Sequence, residues 1–396
     1  MRSLALFTEE IDDLETAVAE LKEQFAGTEL QAHSAGLLFA HPDTDLQELS
    51  ALLQESFDLP IIGATTLLMF TMQGIKKEGI SLQIFTADDC EFRVGCTDEL
   101  TSGNAREELA AMYSRLTADI KDEQVKLILA YGNPLPDMVG EDFVEILDDV
   151  GRGAPIYGAM ASDNFAMQDC KITCGGKVLQ HGLSLIAITG RVKPITHYVF
   201  DVDVSLDYEG VVTELSGNMV MKLDGIPFAE AIANAGMDCC EAIGPCGYVN
   251  TPFKINYNTE DGEEIEMLRH LYYVDKETGG GLFCGKVPLG ARVRIGIVTR
   301  DTIHDSVAVV AQRALESVKK VKDYKYSSLL VTSCASRIMS YTNDLEKDAD
   351  AYIRLIPEGI QMSGIYAFGE ICPSRAVNSS RMRNTFHNTT FSMLVV

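Results

Sequence analysis

The sequence predicts an α/β fold: mixed sheets flanked by helices, built from internally repeated strand-helix-strand units in two halves. Three observations predict it. A short apolar strand, a helix, a buried strand carrying a glycine and a final apolar strand follow one another three times along the chain. In two of these passes the glycine lies 24 residues before the last strand, from 158 to 182 and from 364 to 388. Near residue 190 the texture changes, and residues 191–194 separate two repeats from a β-rich stretch that leads into the third. Two domains follow from this: residues 1–190 with two repeats, and 191–396 with the β-rich insert and the third repeat. Units of this size bury their core against one another. Loops at the carboxyl ends of such strands form crevices for ligands.

Taken in order, the first repeat has strands at 36–40, 60–66 and 79–85. The second has them at 127–131, 155–159 and 182–188, and the third at 328–332, 362–366 and 388–394. Ile80, Leu82 and Ile84 alternate with polar residues, as a strand with one buried face requires. Helices are expected at 9–26, at 45–57 with Asp43 or Thr44 as cap, and at about 103–119. A hairpin over 170–179 turns on Gly175-Gly176. Beyond residue 190, strands at 197–204, 211–215, 269–274 and 291–299 accompany a helix from about 227 and a flexible Gly279-Gly280-Gly281. A further helix begins near Asp301, with Thr302 three residues before Asp305 in the manner of a capping box. Its apolar stripe is Val307, Val310, Ala311, Ala314, Leu315 and Val318. Lys319, Lys320 and Lys322 close the end where the helix dipole favours cations.

Composition bounds the partners. The 396 residues are 46% hydrophobic and 23% charged, enough for a sizeable core. The net charge of −25, from 58 acidic and 33 basic residues, excludes a phosphate-tracking nucleic-acid binder and an anionic membrane surface. The apolar run in residues 1–7 is too short for a signal peptide before Glu9 and Glu10. No stretch approaches the roughly 18 apolar residues of a membrane helix. Ten cysteines in such a chain are expected as free thiols in the cytoplasm, where the sequons at Asn378 and Asn388 carry no weight.

Several motifs invite chemistry. Residues 280–286 match half of a phosphate loop, but Val287 stands where a hydroxyl would hold magnesium, and Pro288-Leu289-Gly290 opens no helix. The segment reads as a turn. Cys170 with Cys174, and Cys239 and Cys240 with Cys246, lack the matching pairs of a zinc site. No metal or cofactor is expected. Cys334 follows the third repeat's first strand and precedes a helix, near Arg337, a setting that lowers a thiol pKa and makes a nucleophile. His387 is the histidine that would serve as its base. The competing reading is a small buried residue in a binding crevice. Glu370 lies among apolar residues and glycines, where burial demands a cation, unless it faces solvent in a loop. Asn388 offers donor and acceptor just before the last strand, or simply holds a turn.

Segments 333–337, 364–371 and 386–390 resemble the C-terminal half of FIST proteins. Residues 62–66 and 157–159 resemble the N-terminal half, and 223–227 the point where the C-terminal half begins. The resemblance covers nearly the whole chain. It implies a sensory module that binds small ligands, amino acids among them, and that often occurs joined to signalling output domains. This sequence carries no output domain, so the resemblance implies an unlinked signalling partner. The first repeat continues as Leu67-Leu68-Met69-Phe70, where the family has small residues, glycine and an acid, so Met69 and Phe70 are expected to fill that crevice.

The expected function is a cytoplasmic, non-enzymatic sensor of an amino-acid-like small molecule, with neither nucleic acid nor membrane as partner. Arg337 offers a planar fork to a carboxylate. Glu370, helped by Asn388, would meet the ammonium. Ser333 and Tyr366 would add hydrogen bonds, with Cys334 in the same crevice. The alternatives are a protein-interaction scaffold without a small ligand and an enzyme using Cys334 or Glu370.

Overall fold

In chain order, the first unit is β1 (Arg2–Thr8), α1 (Leu14–Phe25), β2 (His33–Ala40), α2 (Leu46–Ser56), β3 (Ile61–Thr65), β4 (Met69–Thr71), β5 (Gly74–Lys76) and β6 (Ile80–Ala87). The second is β7 (Cys90–Cys96), α3 (Ala105–Leu116), β8 (Val125–Gly132), α4 (Gly140–Gly151), β9 (Ile156–Met160), β10 (Ile172–Cys174), β11 (Lys177–Leu179) and β12 (Leu183–Gly190). The third opens with β13 (Ile195–Phe200) and is then interrupted by an insert. That insert holds β14 (Val204–Ser216), β15 (Met219–Leu223), β16 (Ile226–Pro227), α5 (Phe228–Asn234), β17 (Phe253–Asn258), β18 (Glu264–Arg269), β19 (Leu271–Val274), β20 (Gly281–Phe283) and β21 (Arg292–Ile297). The third unit resumes with α6 (Arg300–Lys320), β22 (Ser328–Cys334), α7 (Ser336–Tyr341), β23 (Gln361–Ala367), β24 (Glu370–Arg375), β25 (Met382–His387) and β26 (Thr390–Val395). This computed structural model describes residues 1–121, 124–133, 138–200, 202, 204–237, 247–341, 349 and 351–396, with 204–206 and 341 in backbone only. Cys239, Cys240 and Cys246 lie outside the described residues.

Each unit builds the same sheet. Its last strand lies antiparallel between the opening strand and the second strand: β1-β6-β2, β7-β12-β8 and β13-β26-β22. The second strand then pairs in parallel with the glycine-bearing strand, β3, β9 or β23. A parallel neighbour needs a crossover, and a helical segment supplies it.

The far edge of every sheet comes from a different unit. Hairpin β10–β11 of the second unit pairs with β3 of the first. Hairpin β24–β25 of the third pairs with β9 of the second, and β4–β5 of the first pairs with β23 of the third. The exchange closes a ring. Met69 and Phe70, expected to plug a crevice of the first repeat, instead form β4 in the third unit's sheet, where the Phe70 ring stacks on Tyr366 at 4.7 Å between centroids.

The glycines of the repeated pattern are there for close approach. A Cβ on Gly63 would lie 2.6 Å from Leu38 O, on Gly158 1.7 Å from Ala130 O, and on Gly364 2.3 Å from Val331 O. The partners of these residues on the last strands are Leu82, Leu185 and Met393. The equal 24-residue spacing in the sequence therefore does not mark equivalent positions.

Apolar residues from all three units share a central core, including Phe39, Ile62, Leu129, Tyr157, Leu330 and Ile365. Polar bonds cross it: Tyr157 Oη lies 3.1 Å from the carbonyls of both Leu330 and Ser392. Helices cover the outer faces, each with its own core. The α2 helix is capped by Asp45, whose carboxylate accepts the Gln47 and Glu48 N–H groups, rather than by Asp43 or Thr44. The first helix starts at Leu14 behind an Asp13 cap, leaving residues 9–13 outside it. The α6 cap is Thr299, reciprocated by Thr302, one turn earlier than the expected box. The β10–β11 turn has φ of +56° at Gly175 and +84° at Gly176, the left-handed pair that such a two-residue hairpin needs.

The insert forms its own eight-stranded sheet, in the order β18-β17-β21-β14-β15-β20-β19 with β16 beside β15. Phe228, Phe253 and Phe283 pack together at its centre. A buried ion pair between Arg269 and Glu141 ties it to α4. Next to that pair, Lys286 of the phosphate-loop-like segment bonds Asp142 at 2.7 Å and Glu145 at 2.9 Å, so its ammonium is spent on structure.

Candidate ligand cavity

At the carboxyl ends of β22 and β23, the insert and a loop of the second unit roof over a cavity of about 50 Å³. Cys334, Ala335 and Ser336 come from the β22–α7 junction, Ala367 and Phe368 from the end of β23, and Asn388 from the turn before β26. Phe165 and Met167 come from the loop after β9, and Val249, His270 and Cys284 from the insert. The wall is mostly apolar with a few polar groups, the usual make-up of a small-molecule site. Among the described residues, no group of three or more His, Cys, Asp or Glu could hold a metal ion.

Two of the residues expected from sequence line this cavity, Cys334 and Asn388. The Cys334 sulfur accepts a hydrogen bond from Ser336 Oγ at 3.1 Å. Burial, and then the charge of Glu370, push its thiol well above the ordinary range, against the Ser336 and Thr389 N–H groups. The expected lowering by a helix end and an arginine is thus overturned, and Cys334 rests as a thiol. His387 is poorly suited to be its base. Burial and the Arg269 charge bring its imidazole down to about 3, and its ring packs against Tyr198 and Phe200. Asn388 is held from both sides, with Oδ1 accepting from the His270 N–H at 3.3 Å and Nδ2 donating to His387 O at 3.1 Å.

Glu370 sits behind this wall at the start of β24, fully buried rather than in a solvent-facing loop. Its Oε2 accepts the Thr390 N–H at 3.3 Å, while Oε1 has no hydrogen-bond partner among the described residues. Burial raises its pKa well above the carboxylate range, opposed by the Thr390 N–H, the Cys334 thiol and the more distant Arg337 and Arg269. The protonated acid is therefore the favoured form. Arg337 turns away from the cavity, with Nη2 3.3 Å from Ile303 O and Nη1 3.4 Å from Ser306 Oγ on α6, and its guanidinium over the Phe391 ring. Tyr366 faces the core beneath α6, against Phe70. Ser333 is buried beside it on the neighbouring strand, its Oγ without a hydrogen-bond partner among the described residues.

Sequence reasoning missed Phe165, Met167, Val249, His270 and Cys284. They reach the cavity from distant segments, and the one local pattern among them, the phosphate-loop-like stretch that holds Cys284, points to a different chemistry. A wider cleft of about 570 Å³ opens between β13 and the insert, with Lys254, Glu266, Arg313 and Arg375 on its walls. Lys254 and Glu266 are paired at 2.8 Å.

The fold and the cavity define a class: a ring of three α/β units with exchanged hairpins and an inserted sheet roofing one set of strand ends. The chain matches the FIST N domain over residues 34–226 and the FIST C domain over 239–373. It belongs to the FIST family, whose domains are sensory modules of signal transduction. Comparison with curated proteins gives no match. Among solved structures, a cyanuric acid hydrolase described as an innovation by structural concatenation is similar at 9% identity and a TM-score of 0.27, over 75% of this chain and 99% of that one. A second cyanuric acid hydrolase, from A. caulinodans, is similar at 10% identity and a TM-score of 0.29, over 99% and 98%. Likeness at this level carries no argument about activity. No helix among the described residues is long and apolar enough to cross a membrane.

Proposed function

We propose that this protein is a cytoplasmic sensor that binds an amino-acid-like small molecule in the cavity over β22 and signals through an unlinked partner protein. One observation carries the reading. A fully buried carboxyl, Glu370, has an oxygen without a hydrogen-bond partner among the described residues and interacts with the thiol of Cys334 in the cavity wall. An ammonium group is the natural counterpart, since its charge offsets the cost of ionising a carboxyl out of water. The ligand's apolar part would rest on Phe165, Met167 and Phe368. Its carboxylate would take the second Nδ2 proton of Asn388, the first being committed to His387 O. Arg337, Ser333 and Tyr366 support the site from behind, Arg337 by tying α7 to α6.

The test is a thermal-shift screen of the purified chain against amino acids, related zwitterions, keto acids and nucleotides. A ligand at about 100 times its Kd stabilises the folded state by about 2.7 kcal/mol. We expect one zwitterion to stabilise the chain, with the effect lost in Glu370→Gln and in the cavity-filling Ala367→Leu, and kept in Arg375→Ala. Loss in Arg375→Ala alone would move the ligand to the wider cleft. No shift from any compound would favour a protein-docking scaffold, and turnover of a compound would favour an enzyme.

A further inference from the structure

Two cysteines meet where the second unit's hairpin crosses to complete the first unit's sheet. Cys96 ends β7 opposite Ser184 of β12, and Cys174 ends β10 opposite Ile62 of β3. The two strands belong to different sheets. Lys177, paired with Cys174 across the hairpin, clamps the join with its Nζ 2.5 Å from Asp98 Oδ1 and 3.3 Å from Thr97 O. Across the join β10 packs against β7, and the side chains of Cys96 and Cys174 lie against the same apolar core, close enough to interact with each other. Both cysteines are free and partly exposed, whereas Cys90, Cys170, Cys334 and Cys372 are buried. Cys284, also partly exposed, belongs to the ligand cavity.

We propose that Cys96 and Cys174 are a thiol modification site, which a peroxide converts to a disulfide that fastens hairpin β10–β11 to β7. The Cys96 sulfur attacks one peroxide oxygen, the O–O bond breaks, and a sulfenic acid and water result. The Cys174 sulfur then displaces the hydroxyl group from that sulfenic acid, and its proton leaves with the hydroxyl as a second water. Two thiols and one hydrogen peroxide thus give one disulfide and two waters.

The surroundings divide the roles. Interaction with the neighbouring Cys174 thiol brings the Cys96 thiol down to about 7 against burial, helped by Lys177 and Arg115 and opposed by Asp98. The same interaction, together with burial, raises Cys174 and favours its protonated form. A thiolate beside a protonated neighbour is the pairing of an attacking and a resolving cysteine.

The experiment treats the reduced full-length chain with equimolar hydrogen peroxide at neutral pH, alkylates remaining thiols with iodoacetamide and digests without reductant. The expected product is one cross-linked peptide pair containing Cys96 and Cys174, released by dithiothreitol. In Cys174→Ser, Cys96 should be trapped by dimedone as the sulfenic acid. In Cys96→Ser, Cys174 should stay a thiol. If the wild-type chain gives no such pair, with both thiols still alkylated or Cys96 carried on to the sulfinic acid, the proposal is wrong.

Discussion

Glu370 is the residue whose environment and chemistry disagree most. Burial raises its folded-state pKa, so the folded chain holds this proton more tightly than the unfolded chain does. Its contribution to stability is therefore complete below the unfolded carboxyl value of about 4.3 and is lost as pH rises from there through the raised folded value. In Glu370→Gln this loss disappears. We expect the variant's melting temperature to match the parent's at the acid end and to exceed it increasingly towards neutral pH. A gap that stays constant across that range would show that the carboxyl is not held out of water. At this scale, Cys334 and Asn388 were legible because both sit at strand ends of the repeated pattern. The direction of Arg337 was not, since it depends on where α6 lies relative to α7, and no spacing within residues 333–337 encodes that.

Elements show a similar division. The buried strands were readable as runs of apolar residues, and α6 from its 3.6-residue stripe. The hairpins β4–β5 and β24–β25 were not, because their pairing partners lie in other units. Opening strand β1 escaped for the same reason, its pairing with β6 being invisible to local pattern. Phe70 tests the importance of such a strand. It is fully buried and packs against Tyr366, Tyr352 and Phe391. Phe70→Ala should cost about 3–5 kcal/mol, the usual range for a buried phenylalanine. Denaturant unfolding that shows less than about 1 kcal/mol of loss would mean β4 contributes little to the third unit.

For the whole molecule, the ring makes each sheet depend on chain from a different unit. A fragment of residues 1–190 keeps β9 but lacks β24–β25, and its own β4–β5 has no β23 to join. Unpaired edges of this kind template aggregation. We expect the fragment to be insoluble or molten when expressed alone, and to be rescued by co-expression with residues 191–396. A soluble, cooperatively unfolding 1–190 fragment would contradict this. The three-way exchange was not legible in the sequence, because hydrophobic periodicity specifies a strand but not its neighbour.

Strand β24 begins at Glu370, behind the cavity, and from its first residues it is bonded to Ala159 and Gly158 of the second unit. Gly158 in turn presses against the Ala130 backbone with no free space between them. A displaced carboxyl therefore has nowhere local to relax. A ligand bound as proposed would push on the next joint of the ring through β24 and β9, as in a linkage of rigid bars, where a chain of separately folded modules would offer slack.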